Sequence, residues 1–272
     1  MSHDPLANSG SDGYTPPLIS ADTPTPARIY DYLLGGKDNF AVDRDAARAL
    51  EQHAPHSRAL ARENRRFLER VVRYLVAEAG IRQIIDLGSG LPTQDNVHQI
   101  AQRHAPETRV VYVDHDPIVL AHSQALLAEN DRTAVITADI AESERIRSHP
   151  ETRALIDFTQ PWALLCMALF HFVEDPSDIV AAFRAHMPSG SFLALSHGTH
   201  ESTEPEDVDN VKRVYQSTTS SLLLRTPAEI AAIFTGFELV DPGLVPVMEW
   251  RSDSEPLRFD SAGGYGGVAV LP

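Results

Sequence analysis

Between residues 83 and 195 the hydrophobic positions fall into five short runs, separated by longer segments in which polar and apolar positions are mixed. Apolar residues at consecutive positions are typical of parallel strands that are buried on both faces. The predicted strands are residues 83–86, 109–113, 134–138, 162–168 and 191–195. The segments between them fit helices. This alternation predicts an α/β domain in which helices cover both faces of a mostly parallel sheet.

The C-terminal part departs from this alternation. An apolar run at residues 237–240 is followed by the turn sequence Asp241-Pro242-Gly243, by a loop, and by a last apolar run at residues 267–271. No helix is predicted between the two runs. Since parallel neighbours need a crossover connection, we predict an antiparallel pair at the edge of the sheet.

Helical spacing of apolar residues predicts two helices before the first strand. The first carries Ile29 and Leu33 and stops at Gly35-Gly36, a sequence that favours a helix C-cap. The second covers residues 57–79. Three later helix starts are indicated where a capping residue precedes proline, at Asp116-Pro117, Asp175-Pro176 and Thr226-Pro227.

These patterns divide the chain into three parts. Residues 1–26 are rich in Pro, Ser, Gly, Asp and Thr, and they contain too few apolar residues to offset the entropy of ordering. We predict a disordered tail there, an N-terminal helical cap at residues 27–80, and the main α/β domain at residues 81–272.

Charge and composition narrow the range of partners. The chain of 272 residues carries 23 Lys and Arg against 38 Asp and Glu, a net charge of -15 that repels phosphate backbones and anionic membranes. We therefore expect no nucleic-acid or membrane partner. We interpret the arginines between residues 62 and 73 as the solvated face of a helix. The single cysteine, Cys166, and the absence of a signal peptide or membrane span indicate a cytoplasmic protein.

The candidate chemistry begins where the first predicted strand ends. Asp86, which can order the turn or reach a cationic or hydroxyl-bearing cofactor, is followed by Gly88 and Gly90. Glycines at such a turn allow the backbone to approach a nucleotide cofactor closely. A second strand ends at Asp114, 24 residues after Gly90, where a carboxylate can bind ribose hydroxyls. A third strand ends at Asp139-Ile140, which can contact the edge and face of an adenine.

Two cofactors fit this arrangement, a nicotinamide dinucleotide and S-adenosylmethionine. In the dinucleotide motif a third glycine occupies the position of Thr93, and the preceding Pro92 removes one backbone donor that a pyrophosphate would use. A cofactor without phosphate needs neither. The antiparallel edge strands also favour S-adenosylmethionine.

At the level of motifs the chain resembles the class I S-adenosylmethionine-dependent methyltransferases, and within them a bacterial family long known only as a domain of unknown function. The resemblance extends from about residue 25 to residue 271. It rests on residues 26–40 (PARIYDYLLGGKDNF), Asn64-Arg65, residues 84–93, residues 112–117 and residues 171–173. It implies a Rossmann-like, seven-stranded sheet with an antiparallel last strand.

The resemblance also implies roles for particular residues. Cofactor contacts are expected from Gly88, Ser89 and Gly90, ribose contacts from Asp114, and adenine contacts near Asp139. We add four predicted cofactor contacts, and for the arginine among them we expect a bidentate bond to the amino-acid carboxylate. These four residues are Arg65, His115, Ile140 and Leu169.

Residues for the acceptor side are less sharply indicated. His171 and His197 follow the fourth and fifth strands and are candidate general bases, although satisfying loop backbone groups is the commoner role for such histidines. The segment at residues 28–40 is either a docking helix or a lid over the cofactor. Its candidate lid or substrate contacts are Arg28, Tyr30, Tyr32, Lys37 and Phe40.

We therefore predict S-adenosylmethionine-dependent O- or N-methylation of a small-molecule acceptor by in-line displacement, with no metal and with a homo-oligomer left open. Two alternatives remain. One is a regulator that binds S-adenosylmethionine without turning it over, and the other, less favoured, is a nicotinamide-dependent oxidoreductase. The sequence does not identify the acceptor.

Overall fold

A computed structural model describes residues 21–92, 95–116, 118–119, 131–201, 203–253 and 263–272. Most of the predicted tail, Thr93, and most of the helix predicted after Asp116 therefore lie outside the described residues. The strands are β1 (Gln83–Leu87), β2 (Arg109–Asp114), β3 (Thr133–Thr137), β4 (Ala163–Met167), β5 (Phe192–Gly198), β6 (Glu238–Leu239), β7 (Val245–Pro246) and β8 (Gly264–Val270).

The sheet order is β3-β2-β1-β4-β5-β8-β6, and the short β7 also pairs with β8. Strands β1 to β5 pair in parallel, whereas β8 runs antiparallel to β5 and to β6. This path of seven strands confirms the predicted mostly parallel sheet with an antiparallel C-terminal strand. The chain order reverses between β1 and β4, which is the position where open α/β sheets bind ligands.

The helices are α1 (Pro26–Leu34), α2 (Ala41–His53), α3 (Ser57–Arg73), α4 (Val97–His104), α5 (Ser143–Ser148), α6 (Pro150–Leu155), α7 (Pro176–Arg184), α8 (Pro205–Gln216) and α9 (Pro227–Ile233). Helix α3 continues as a π-helical turn, Tyr74–Glu78. The predicted starts at Pro176 and Pro227 are confirmed, and Thr226 and Glu229 form the expected capping box. Helix α2 was not among the predicted elements.

Alternate side chains of the strands pack into two hydrophobic layers, one on each face of the sheet. In β1, Ile85 and Leu87 join the layer that contains α7 and α9, whereas Ile84 joins the layer that contains α3 and α4. The predicted helices on both faces are therefore present. The burial of β1 at all five positions explains why its sequence is a continuous apolar run.

A third hydrophobic cluster joins the N-terminal helices to α8. Ile29, Leu33 and Leu50 form its centre, and Val211 and Tyr215 of α8 pack against it. We call α1, α2, the first half of α3, and α8 the cap. Helix α3 is shared between the cap and the main core, because its second half packs on the sheet.

One of the arginines predicted to be solvated is buried in α3. Arg70 is 9% exposed and donates hydrogen bonds to the carbonyls of Val247 and Trp250. Its role is to anchor α3 to the segment before β8, and for this residue the interpretation as a solvated face is wrong. Among the described residues, no helix combines the length and the apolar character that a membrane crossing requires.

Candidate active site

A cavity of about 400 Å³ lies at the carboxyl ends of β1 to β4 and is covered by α1 and α3 of the cap. It contains most of the predicted site residues, since parallel strands deliver their C-terminal residues to one edge of the sheet. The predicted residues that line it are Tyr30, Arg65, Asp86, Gly88, Ser89, Gly90, Asp114, His115, Asp139, Ile140, Leu169 and His171. We call it the cofactor cavity.

The glycine loop after β1 depends on its glycines for two different reasons. Gly88 and Gly90 have φ angles of 65° and 64°, a region that L side chains rarely adopt. A Cβ atom at Gly88 would lie 2.4 Å from Cδ1 of Leu169, whereas a Cβ at Gly90 would meet no atom within 4 Å. Gly88 thus permits close packing inside the protein, and Gly90 leaves open space where a ligand can approach the backbone.

Asp114 is fixed by the same loop. Its Oδ2 accepts a hydrogen bond from the N–H of Gly90 at 2.9 Å, and its Oδ1 accepts one from the N–H of Asp116 at 2.9 Å. Burial raises the pKa of this carboxyl, and the two backbone bonds oppose the shift. Because each carboxylate oxygen has a second lone pair, the group can still accept bonds from a pair of hydroxyls.

Asp86 lies deeper, at the end of β1. Its pKa is raised from 3.8 to about 7. Desolvation is the largest cause of this shift, the positive charge of Arg65 opposes it, and the charge of Asp114 adds to it. A cationic ligand in this cavity would stabilise the ionised form of Asp86. Arg65 lines the cavity and donates to the carbonyl of Asp95 at 2.7 Å.

The donors and acceptors of the cavity fit S-adenosylmethionine better than a dinucleotide. Among the described lining residues Arg65 is the only Arg or Lys, whereas Asp86, Asp114, Asp116 and Asp139 are acids that would face a pyrophosphate. A sulfonium and an ammonium group suit such acids. The buried Oγ of Ser89 has no hydrogen-bond partner among the described residues, so it offers a free donor to a ligand carboxylate.

The residues predicted to contact adenine lie on one wall of the cavity. Asp139 and Ile140 line the wall after β3, and Oδ1 of Asp139 accepts a bond from the N–H of Ala141 at 2.9 Å. His115 is exposed beside Asp114, with 3.8 Å between its Nδ1 and Oδ1 of the carboxylate. The adenine role of Asp139 and Ile140 stays a prediction.

His171 lines the cavity, but its ring is not arranged as a general base. Its Nδ1 accepts a hydrogen bond from the N–H of Gly198 at 3.2 Å, so the neutral ring carries its proton on Nε2. Burial and the nearby His197 and Arg225 lower its pKa to about 3. The remaining ring nitrogen, Nε2, carries a proton and can only donate a hydrogen bond. The predicted role of general base is therefore not supported.

His197 is even less suited than His171 to act as a general base. It is 1% exposed, and its Nδ1 lies 2.7 Å from the carbonyl of Gly198, to which it donates. Its Nε2 accepts from Nη1 of Arg225 at 2.9 Å. Both ring nitrogens are thus used within the protein. The structure places His197 outside the cofactor cavity, on the wall of a neighbouring one, and because both of its ring nitrogens are bonded it does not support the predicted catalytic role.

Most of the side chains of the motif at residues 26–40 hold the N-terminal helices together and do not face the cavity. Arg28 is 1% exposed and forms an ion pair with Asp43, with 2.9 Å between Nε and Oδ2. The carboxylate of Asp43 also accepts bonds from the N–H groups of Thr25 and Phe40. Arg28 therefore does not line the cavity, and its predicted contact with a ligand carboxylate is not supported.

Three other predicted lid residues also lie away from the cavity. Tyr32 packs under the guanidinium of Arg58 at 4.5 Å, and Phe40 packs against that of Arg28 at 4.9 Å. Lys37 is exposed in the loop after α1. Of the predicted lid residues only Tyr30 lines the cofactor cavity.

The double glycine of the motif has a packing explanation. Asp31 is buried, and its carboxylate accepts bonds from the N–H of Asp38 and from Nδ2 of Asn39. A Cβ at Gly36 would lie 1.9 Å from Oδ1 of Asp31. Gly35, with φ 85°, ends α1 as predicted. These contacts fold the loop that connects α1 to α2.

Several residues at the cavity were not predicted from the sequence. Asn64 precedes Arg65 in the predicted motif but has no predicted role, and nothing in the sequence around Tyr215 of α8 indicates a site. Thr25, Pro26 and Ala27 line the cavity from the start of α1. Their position depends on how the cap folds back over the sheet.

The sheet order, the antiparallel β8 and the glycine loop beside Asp114 together define a class I S-adenosylmethionine-dependent methyltransferase. The chain belongs to the S-adenosyl methyltransferase family, whose sequence profile matches residues 13–272.

Two solved structures are similar over nearly their whole length. A DUF574 family protein from Streptomyces avermitilis MA-4680 is 44% identical, with a TM-score of 0.87 over 93% of this chain and 99% of that chain. A protein from Thermobifida fusca YX, described as a candidate methyltransferase, is 42% identical, with a TM-score of 0.86 over 92% of this chain and 97% of that chain. No protein of curated function matches. These relatives confirm the predicted family, and S-adenosylmethionine is its cofactor.

Proposed function

We propose that the protein methylates a nitrogen or oxygen atom of a small molecule held in a second cavity beside the cofactor cavity. The observation that carries the proposal is that the two cavities meet. The second has a volume of about 470 Å³, and both are lined by Tyr30, Asn64, Ala168, His171 and Tyr215. We call these five residues the junction and the second cavity the acceptor chamber.

The size and lining of the acceptor chamber support a small apolar acceptor. Its volume is in the range that holds drug-sized ligands. Helices of the cap and the segment before α9 supply most of its apolar wall, which includes Leu33, Leu50, Val211, Leu222 and Leu224. A regulator that only holds the cofactor would have no use for this second space.

The bound cofactor supplies an electrophilic methyl group, and the protein mainly holds the reactants in line and away from water. Asp114 accepts bonds from the ribose hydroxyls. Ser89 and Arg65 bind the carboxylate of the cofactor's amino-acid part. Asp86 balances the positive charge of the cofactor's sulfonium and ammonium groups. The junction residues fix the acceptor atom, with Tyr30 held by bonds to the carbonyl of Ala61 and from Nδ2 of Asn64.

The division at residue 80 belongs to the same proposal. Residues 27–80 supply the roof of both cavities, and residues 81–272 supply the cofactor-binding edge of the sheet. Tyr215 lies in the second part but packs with the first. We propose that the N-terminal cap and α8 together enclose the acceptor.

The test is to incubate the protein with methyl-labelled S-adenosylmethionine and a bacterial extract separated by molecular mass. We expect label in products of small-molecule size and none above background in protein or nucleic acid. Val208→Trp, which fills the chamber, should abolish the labelling, whereas Gln216→Trp on the exposed side of α8 should not. Label that enters mainly macromolecules, or a cofactor that binds without any transfer, contradicts the proposal.

A further inference from the structure

We propose that the acceptor atom is the uncharged nitrogen of a mainly apolar amine and not the oxygen of a hydroxyl. The inference rests on the proposed function, because it concerns the chemistry at the junction where the two cavities meet. It is carried by the hydrogen-bonding states of the junction residues.

Oxygen and nitrogen acceptors make different demands on the protein. A hydroxyl is a weak nucleophile until a base removes its proton, and such a base contributes about 100-fold or more to the rate. A neutral amine attacks with its own lone pair and loses its proton only afterwards. A site for hydroxyl methylation should therefore present an unprotonated base at the junction.

The described junction residues do not include an unprotonated base. Ala168 has no side-chain functional group, and the amide of Asn64 is not a base. The hydroxyl of Tyr30 is already held between the carbonyl of Ala61 at 3.1 Å and Nδ2 of Asn64 at 2.9 Å. Burial, opposed by Asn64 and Arg65, raises its pKa. The tyrosine therefore stays protonated at neutral pH.

His171 offers a proton where a base would need a lone pair. Its lone pair is on Nδ1 and is used by the N–H of Gly198. A switch to the other tautomer would bring two N–H groups together at this bond. The neighbouring rings and charges also oppose a protonated imidazole, since His197 lies 5.5 Å away between ring centroids and Arg225 binds His197.

Tyr215 completes the junction from the cap side. Burial raises its pKa to about 12, so its hydroxyl is neutral at physiological pH. Its oxygen and Oδ1 of Asn64 are uncharged acceptors. They suit the N–H groups of an amine, which they can orient without removing a proton.

Charges elsewhere in the acceptor chamber favour an amine over an anion. Glu204 and Asp207 line the chamber, and no Lys or Arg does among the described residues. Neither acid is a junction residue: Asp207 lies eight residues, or about 12 Å of helix rise, before Tyr215 in α8, and Glu204 precedes the helix. His53, 3.8 Å from Asp207, and His56 are likewise outside the junction. An anionic acceptor would be repelled here. The protonated form of an amine would be attracted into the chamber, and it must release a proton to water before its nitrogen can attack.

The transfer balances without a protein base. The nitrogen lone pair forms the new N–C bond as the S–C bond breaks, and the electrons of that bond stay on sulfur to give a neutral thioether. The alkylammonium product then releases its proton to water. No oxidant, metal or further reactant is required.

The test uses apolar amines paired with the hydroxyl compound of the same skeleton, such as benzylamine with benzyl alcohol and tryptamine with tryptophol. For each pair, binding to the protein loaded with S-adenosylhomocysteine is measured by calorimetry, and turnover by release of S-adenosylhomocysteine. We expect amines to bind and react, their hydroxyl partners to react about 100-fold more slowly or not at all, and the pH midpoint of kcat/KM to follow the basicity of the amine.

A second readout does not depend on turnover. In the 15N NMR spectrum, His171 should show a protonated Nε2 and an unprotonated Nδ1, and it should remain neutral down to about pH 4. A His171 that titrates near pH 6 to 7, hydroxyl compounds that react as fast as amines, or a set of amines that neither bind nor react overturns the proposal. If the label instead enters macromolecules, the proposed function itself has failed.

Discussion

At the scale of single residues, Asp114 links the glycine loop to the ligand. Both of its oxygens accept backbone N–H groups. An asparagine at this position could accept only one of these bonds and would lose the charge. We predict that Asp114→Asn weakens S-adenosylmethionine binding by about 1–3 kcal/mol, or roughly 5- to 150-fold in Kd.

Calorimetry measures this change directly. Asp131→Asn is a matched control because it removes the same charge from a side chain that is 87% exposed. An unchanged Kd in Asp114→Asn would show that the ribose contact is assigned to the wrong residue.

Asp86 should make stability depend on pH. Its folded pKa of about 7 exceeds the ordinary value of 3.8, so the folded state binds this proton more tightly than the unfolded state. The stabilising contribution is complete below about pH 4 and is lost as the pH rises through about 7. Relative to the natural protein, Asp86→Asn should therefore gain free energy of unfolding between pH 4 and pH 7.

Urea unfolding across that pH range measures the effect. A constant difference between the two proteins would contradict the raised pKa. Asp157→Asn serves as the comparison, because its exposed carboxyl has a lowered pKa and should show the opposite dependence at lower pH.

The residue scale also shows what sequence reasoning can reach. Gly88, Gly90 and Asp114 were predicted because strand ends and positive φ angles are local properties. Arg28 and Phe40 were not placed correctly, since the direction of a side chain in the cap depends on Asp43, which belongs to the unpredicted helix α2. The tautomer of His171 depends on Gly198, 27 residues away.

At the scale of elements, the segment after β4 is held by one arginine. Arg225 donates to the carbonyls of Phe170, Val173 and Glu174 and to Nε2 of His197. The segment carries Leu169 and His171 into the cofactor cavity. Arg225 is therefore a positioning residue for that wall.

We predict that Arg225→Gln lowers the free energy of unfolding by about 1–3 kcal/mol and weakens cofactor binding. It should also raise the pKa of His197 from about 4, because the charge of Arg225 is among the causes that lower it, after burial. Arg213→Gln on the exposed face of α8 is the control. An NMR titration in which His197 is unmoved contradicts this role.

Elements were easier to predict than residues. Continuous apolar runs predicted β1 to β5, and the missing crossover helix predicted the antiparallel edge, because both signals depend on burial by the sheet itself. Helix α2 was missed because its buried face is limited to Asp43, Ala47 and Leu50. A sequence with so few buried positions is hard to distinguish from that of a polar loop.

At the scale of the whole molecule, the cap and the acidic cofactor edge act together. The net charge of -15 and the acids of the cofactor cavity both favour a cationic cofactor over a pyrophosphate. Cap and sheet then enclose the acceptor beside it. The central claim is that this cleft binds S-adenosylmethionine.

Calorimetric titration of the full chain with S-adenosylmethionine and with NAD⁺, under the same conditions, tests that claim most directly. The account predicts one molecule of S-adenosylmethionine bound per chain and no heat of binding from NAD⁺. Saturable binding of NAD⁺ without a response to S-adenosylmethionine would contradict it.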